Sequence, residues 1–301
     1  MLKNILVPLD GSRLAEAALP AAAYLAVRAG AGVTLVHVME QSAPQTIHGE
    51  RHLTAVGEAE SYLAQAAREA FPANVRVTCH VHVAATTDVV RSLVEHGQDM
   101  APDLIVMCTH GHGRLRGLLL GSIAQRVVAA GRVPVLLIRP RRGNEHPDFA
   151  CGRMLVPFDG TPEHVRGIEM AAELARVCAG ALHLVLVVPT AGTVSARQAS
   201  ASRLMPAAAR LMLELASEQA KGPLQEWVER LQRQGLTVSG EVRRGRPARV
   251  IANLAESAHD DLIVLGTHGR AGAEAFWADS TAAQVLKRSK RPLLLVPVTG
   301  D

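Results

Sequence analysis

The chain has 301 residues, 48% of them hydrophobic and only 3% aromatic, with a formal net charge of +4. That length suits two domains of about 150 residues, and the apolar content with balanced charge excludes a disordered chain. Scattered basic residues give no nucleic-acid footprint, and no apolar stretch reaches the ~18 residues that read as a membrane span.

The N-terminus enters a strand-like segment almost at once, without the apolar run and cleavage site of a signal peptide. Residues 3–8 predict a short strand and 13–29 an Ala-rich helix stopped by Gly30. A Val-rich strand follows at 33–39, a long helix at 51–70, a strand at 75–83 and a helix at 87–97. Residues 103–108 read as a fully buried strand, 121–130 as a helix and 133–138 as a last strand. The polar stretch 141–153 reads as a linker. Beyond it the order recurs, with strands at 153–158, 182–188, 236–242, 261–265 and 293–297. Helices are expected at 163–178, 205–233, 247–258 and 279–289; Pro206, Gly222 and Pro223 should break the longest. Strands alternating with helices imply right-handed crossovers and a mostly parallel, open five-stranded α/β sheet in each half, covered on both faces.

The recurrence is a duplication. ILVPLDG from Ile5 matches MLVPFDG from Met154, which places Asp10 on Asp159, 149 residues apart. APDLIVMCTHG matches HDDLIVLGTHG, which places His110 on His268 and Ser122 on Ser280, 158 apart. Ordered landmarks with one insertion argue for two copies of one domain, taken as 1–142 and 152–301.

In open parallel sheets, ligands bind beyond the carboxyl ends of the strands where strand order reverses. Two segments per copy end there: the first strand with its aspartate, and the glycine loop after the fourth strand. Asp10 reads either as a turn residue or as a carboxylate for a ribose hydroxyl, an adenine amine or a metal-bound water. Gly111, Gly113 and Gly117 permit close backbone approach. Ser122 reads equally as an N-cap or as a phosphate ligand at a helix N-terminus. The loop is neither a P-loop nor a dinucleotide fingerprint, and no serine sits in GxSxG. His110 and His268 read as loop braces or ligand-facing groups, and Asp103 and Asp261 as turn residues. Cys108, His110 and His112 alternate, but no closed ligand set for zinc follows. Cys79, Cys108, Cys151 and Cys178 form no CxxC pair, so we expect reduced thiols and a cytoplasmic setting. The basic runs Arg139, Arg141, Arg142 and Lys287, Arg288, Lys290, Arg291 read as solvated surface.

With VPLDGS and VPFDGT at the first strands, HVME after the second, and the fourth-strand loops, the chain resembles the universal stress protein family in its tandem two-domain form. The resemblance implies two three-layer α/β/α domains of adenine-nucleotide-alpha-hydrolase-like topology. It implies binding of ATP, or of AMP or ADP, in a stress-response or signalling role with at most slow hydrolysis; an interaction protein with degenerate sites and a slow ATPase are the alternatives, and Mg²⁺ is not specified. Carried over, Asp10 and Val38 serve the nucleoside, and Gly111, Gly121 and Ser122 the phosphates. Copy two offers Asp159, Gly266, Gly269 and Ser280. The family's glycine spacing is broken once in each copy: by Cys108 in copy one and by Asp279 in copy two. The carboxylate beside a polyphosphate makes copy two the weaker site. The resemblance also implies pairing through the last strands, within one chain or in a homodimer.

Overall fold

The computed structural model describes residues 2–39, 46–47, 50–51, 53–83, 101–109, 122–130, 133–140, 148–161, 164–188, 190, 206–268 and 280–298. In the first half, β1 (Asn4–Pro8) leads through α1 (Arg13–Glu16) and α2 (Leu19–Ala29) to β2 (Gly32–Met39). A two-residue pair, β3 (Thr46–Ile47) and β4 (Glu50–Arg51), precedes α3 (Val56–Ala70) and β5 (Val77–Val83). Then come β6 (Leu104–Cys108), α4 (Ser122–Ala130) and β7 (Val135–Ile138). The helix expected at 87–97 lies outside the described residues. The second half runs β8 (Arg153–Phe158), α5 (Val165–Cys178), β9 (Ala181–Val188), α6 (Pro206–Gln219), α7 (Lys221–Arg233) and β10 (Thr237–Arg244). It ends with α8 (Pro247–Ser257), β11 (Leu262–His268), α9 (Thr281–Arg288) and β12 (Leu293–Val298).

Where boundaries differ from the sequence expectation, the cause is local. The helix expected over 13–29 is split by a turn at 17–18, and Pro20 sits in the first turn of α2, where a missing N–H is harmless. Gly30, at φ 65°, ends α2 in the left-handed conformation. The helix expected from residue 51 starts at Val56, because Glu50 and Arg51 pair with Ile47 and Thr46. The long candidate breaks at Ala220, which leaves Gly222 and Pro223 in the first turn of α7.

The long strands form one ten-stranded sheet in the order β10-β9-β8-β11-β12-β7-β6-β1-β2-β5. Each half contributes five strands, and the two sets join through their last strands into one continuous sheet. Neighbours within a half are parallel, but β12 and β7 pair antiparallel, with Leu293 opposite Leu137, Leu294 opposite Leu136 and Leu295 opposite Val135. Composition supplies the reason. VLLI and LLLVPV are apolar on both faces and wholly buried, so neither strand can serve as an edge. The outer edges fall to β5 and β10, whose side chains are mostly half-buried or exposed.

Alternation along the strands gives two cores, each running through both halves. Ile5, Val106, Leu136, Leu294 and Val264 pack beneath α2, α3, α5 and α7. Leu6, Ile105, Leu137, Leu293 and Leu155 pack beneath α4, α8 and α9. Polar contacts also cross the junction. Arg28 Nη1 donates to the Cys178 carbonyl at 3.4 Å, and Arg139 donates to the Leu286 carbonyl near the end of α9. Arg139 is half-buried, and burial lowers its pKa. It is thus not the solvated residue expected from its basic run, but a cation at a helix C-terminus.

Cys151 and Cys178 are buried and joined in a disulfide across 27 residues of β8 and α5. That corrects the expectation of four reduced thiols and leaves Cys79 and Cys108 free. Closing such a loop stabilises by about 3 kcal/mol in the chain-entropy account. Urea unfolding with and without a reductant should show a lower midpoint in the reductant, and the C151A/C178A variant should be insensitive to it. Identical curves for the parent protein would show that the bridge does not form.

Candidate functional site

Strand order reverses between β1 and β6, and again between β8 and β11. At such a reversal the flanking crossovers leave to opposite faces and open a crevice beyond the strand ends. Because the halves meet antiparallel, their two crevices lie at opposite ends of the sheet.

In the first crevice Asp10 follows β1. Its Oδ1 accepts from the Ser12 amide at 2.9 Å and the Ser12 hydroxyl at 2.6 Å. Ser12 is the N-cap of α1, its Oγ accepting from the Ala15 amide at 3.2 Å. Gly11 sits at φ 88° with the Leu53 side chain 3.0 Å from where a Cβ would stand, so only glycine fits there. Beside this turn His37 is buried at the end of β2 and donates from Nδ1 to the Leu9 carbonyl at 2.8 Å. Val38, next on the strand, is buried. Across the crevice β6 ends at Cys108, and Thr109 donates from its amide and its hydroxyl to the Ile138 carbonyl at 2.7 and 3.3 Å. Burial, helped by the Asp10 carboxylate, pushes the Cys108 thiol up to about 12. Ser122 opens α4, with its side chain outside the described residues, as are Gly111 and Gly121.

The second crevice repeats the frame but fills it differently. Asp159 Oδ1 accepts from the Thr161 amide at 3.0 Å and the Thr161 hydroxyl at 2.7 Å, and lies 2.8 Å from His164 Nδ1. Partial burial raises the Asp159 pKa, but the bonds from His164 and Thr161 outweigh it and hold the carboxyl well below the usual range. A Cβ added to Gly266 would stand 2.6 Å from His164 Cδ2, so the imidazole lies directly against this glycine. Thr267 donates to the Val296 carbonyl at 3.4 Å, the counterpart of Thr109 and Ile138. Ser280 is the N-cap of α9 and accepts from the Ala283 amide at 3.1 Å. Gly269 lies outside the described residues.

The structure therefore brings Asp10 beside Cys108, and Asp159 beside His164 and Gly266. Asp103 and Asp261 sit at the opposite strand ends, where Asp103 accepts from the Lys3 and Asn4 amides and Asp261 from that of Arg153. No cluster of three or more His, Cys, Asp or Glu side chains suited to a metal occurs among the described residues. Sequence reading missed His37 and His164. A histidine in an aliphatic strand was the signal for the first. The second was signalled by a histidine five residues beyond Asp159, where the copied segment has Ala15.

The sequence profile of the Universal stress protein family (Usp) matches residues 1–139 and again 151–297. The chain belongs to this family, with two such domains in tandem. It is similar to Universal stress protein MJ0531 of Methanocaldococcus jannaschii, 27% identical over 146 residues that cover 48% of this chain and 81% of that protein. A universal stress protein from Archaeoglobus fulgidus DSM 4304 shares the fold over 99% of this chain and 97% of its own, with a TM-score of 0.65 at 18% identity. Another from Archaeoglobus fulgidus, in complex with dAMP, aligns with 48% of this chain and 96% of its own at 18% identity and a TM-score of 0.34.

Two measurements check the crevice electrostatics. A folded pKa held low stabilises fully above the unfolded value near 4, and this contribution is lost as pH falls through the depressed value. The D159N variant should therefore be modestly less stable than the parent protein at pH 7, with the gap closing in acid. Urea midpoints showing a gap constant with pH would contradict this. Iodoacetamide at pH 8 should alkylate exposed Cys79 and leave Cys108 unmodified until urea unfolds the chain, because so little Cys108 thiolate exists. Peptide mass mapping reads both sites.

Proposed function

We propose that this universal stress protein binds an adenine nucleotide in the crevice between β1 and β6 and acts in stress response or signalling without efficient catalysis. The observation that carries the reading is the Asp10 turn at a topological switch point. Its carboxylate is oriented by Ser12, its backbone is pinned by His37, and its floor is the glycine at 11. A nucleoside fits this arrangement. The carboxylate receives a ribose hydroxyl in a charge-assisted bond, and the backbone around Val38 at the end of β2 edges the base. On the family resemblance, Gly111, Gly121 and Ser122 serve the phosphates, and a helix that begins at Ser122 favours an anion through its dipole. ATP is the ligand the family resemblance implies, with AMP and ADP sharing the nucleoside contacts.

In this reading the second domain is mainly a partner for the first. Its β12 covers β7, and the tandem chain is its own dimer. Gly269 and Ser280 remain as remnants of a phosphate loop, and Ser280 serves as a helix cap. A second reading, an interaction protein with two degenerate sites, draws on Cys108, which stands where the family spacing calls for glycine.

Isothermal titration with ATP and AMP decides between them. The parent protein should bind saturably, and D10N should weaken binding roughly 10- to 100-fold, the loss of one charge-assisted hydrogen bond of about 1.5–3 kcal/mol. Saturable binding that is unchanged in D10N would remove the assignment. No binding of either nucleotide would favour the interaction reading.

A further inference from the structure

At one matched place the difference between the two crevices is steric. Five residues beyond the strand-end aspartate, the first half has Ala15 and the second has His164. The facing strand carries the reverse order of size, Cys108 in β6 against Gly266 in β11. α1 contacts β6 and α5 contacts β11, so in both halves the matched positions lie on or beside a helix and strand in contact.

In the second half this gap is full. The imidazole lies against the Gly266 backbone and is held from the other side by Asp159 at 2.8 Å and the Thr161 hydroxyl at 3.0 Å. The His164 side chain is 16% exposed while that of Asp159 is 54% exposed, so the ring sits inside and the carboxylate at the mouth. The helix itself presses close: a Cβ on Gly167 would stand 3.3 Å from the Gly266 amide nitrogen. A side chain on residue 266 would collide with the ring, so the retained glycine serves the histidine.

We propose that His164 is an internal occupant of the second crevice, holding one carboxylate oxygen of Asp159 and filling space a nucleoside needs, and is the residue that restricts nucleotide to the first crevice. This rests on reading the first crevice as a nucleotide site. A ligand hydroxyl at Asp159 Oδ1 would compete with His164 and Thr161, which already bond that oxygen, and eviction of the ring forfeits its packing. In the first crevice the matched side chain is the methyl group of Ala15.

The experiment is calorimetric titration with AMP, which tests the nucleoside end with the least phosphate. The proteins are the parent, H164A, H164A/G266C and A15H/C108G, each checked for cooperative thermal unfolding. H164A/G266C rebuilds the first half's pair in the second half and covers any packing fault in the single variant. A15H/C108G carries the histidine pair into the first half. The expected result is one AMP per chain for the parent, a second for H164A or H164A/G266C, and none for A15H/C108G. If the parent binds AMP and neither His164 variant gains a site, the inference is overturned and the proposed function stands. If the parent binds none and a His164 variant binds one, His164 keeps its role as occupant of the second crevice, and the restriction of nucleotide to the first crevice is overturned with that crevice's assignment. No binding by any of the four proteins overturns both.

Discussion

A strand that is apolar on both faces and lies at the end of its domain's sheet leaves backbone N–H and C=O groups and leucine side chains without cover. β7 and β12 are both of this kind, and each covers the other. Their antiparallel register brings Leu136 against Leu294 and Leu137 against Leu293, four side chains with relative exposures of 1%. From that contact follow the single ten-stranded sheet, the continuity of both cores through the molecule, and the role of β5 and β10 as outer edges. Arg28 and Arg139, both in the first half, then reinforce the same seam by donating to carbonyls of the second.

The seam also sets the geometry of function. Strands within each half are parallel, and the halves run in opposite senses, so the two switch points face opposite ends of the sheet. No ligand spans both. Any coupling has to pass through the shared core and not through direct contact between sites. The end of the first half's β7 lies instead beside the start of the second half's β12, where Arg139 reaches the carbonyl of Leu286. The strand starts of the second half hold a charged cluster of their own. Buried His183 lies between Asp260 and Glu241, and Arg153 and Arg243 hold those two carboxylates. It ties β8, β9, β10 and the turn before β11 together at the end remote from the second crevice.

The duplication, the strand periods and the placement of Asp10 and Asp159 were legible in the sequence, because each is a local pattern or an internal match. Pairing through the last strands was implied by the family resemblance, within one chain or in a homodimer; the choice between them was not legible, since nothing in VLLI or LLLVPV says which buried strand will cover which. Cys151 and Cys178 were passed over for the same reason. Their pairing depends on the end of α5 returning beside the start of β8, a tertiary fact with no motif. Arg139 looked like surface because a basic run has the same composition whether or not a helix end lies across the seam. His164 was visible as a letter, but its meaning depends on Gly266, about a hundred residues away and on another element.

Cys108 and Gly266 show why a motif read one position at a time misjudges these sites. At this one position the first crevice has lost the family's glycine and the second has kept it, although Asp279 breaks the spacing of the second elsewhere. The structure assigns the consequences the other way. Cys108 is a small, neutral thiol whose proton is held by burial and by the carboxylate next to it, and it faces a helix carrying only Ala15 at the matched place. Gly266 is the retained glycine, yet the room it leaves is taken by the His164 ring, and the carboxylate that room would have served is already bonded. The unit under constraint is therefore the pair formed by helix residue and strand residue. After duplication, one copy can keep its glycine and fill the room beside it, while the other replaces the glycine and carries a smaller residue on the helix.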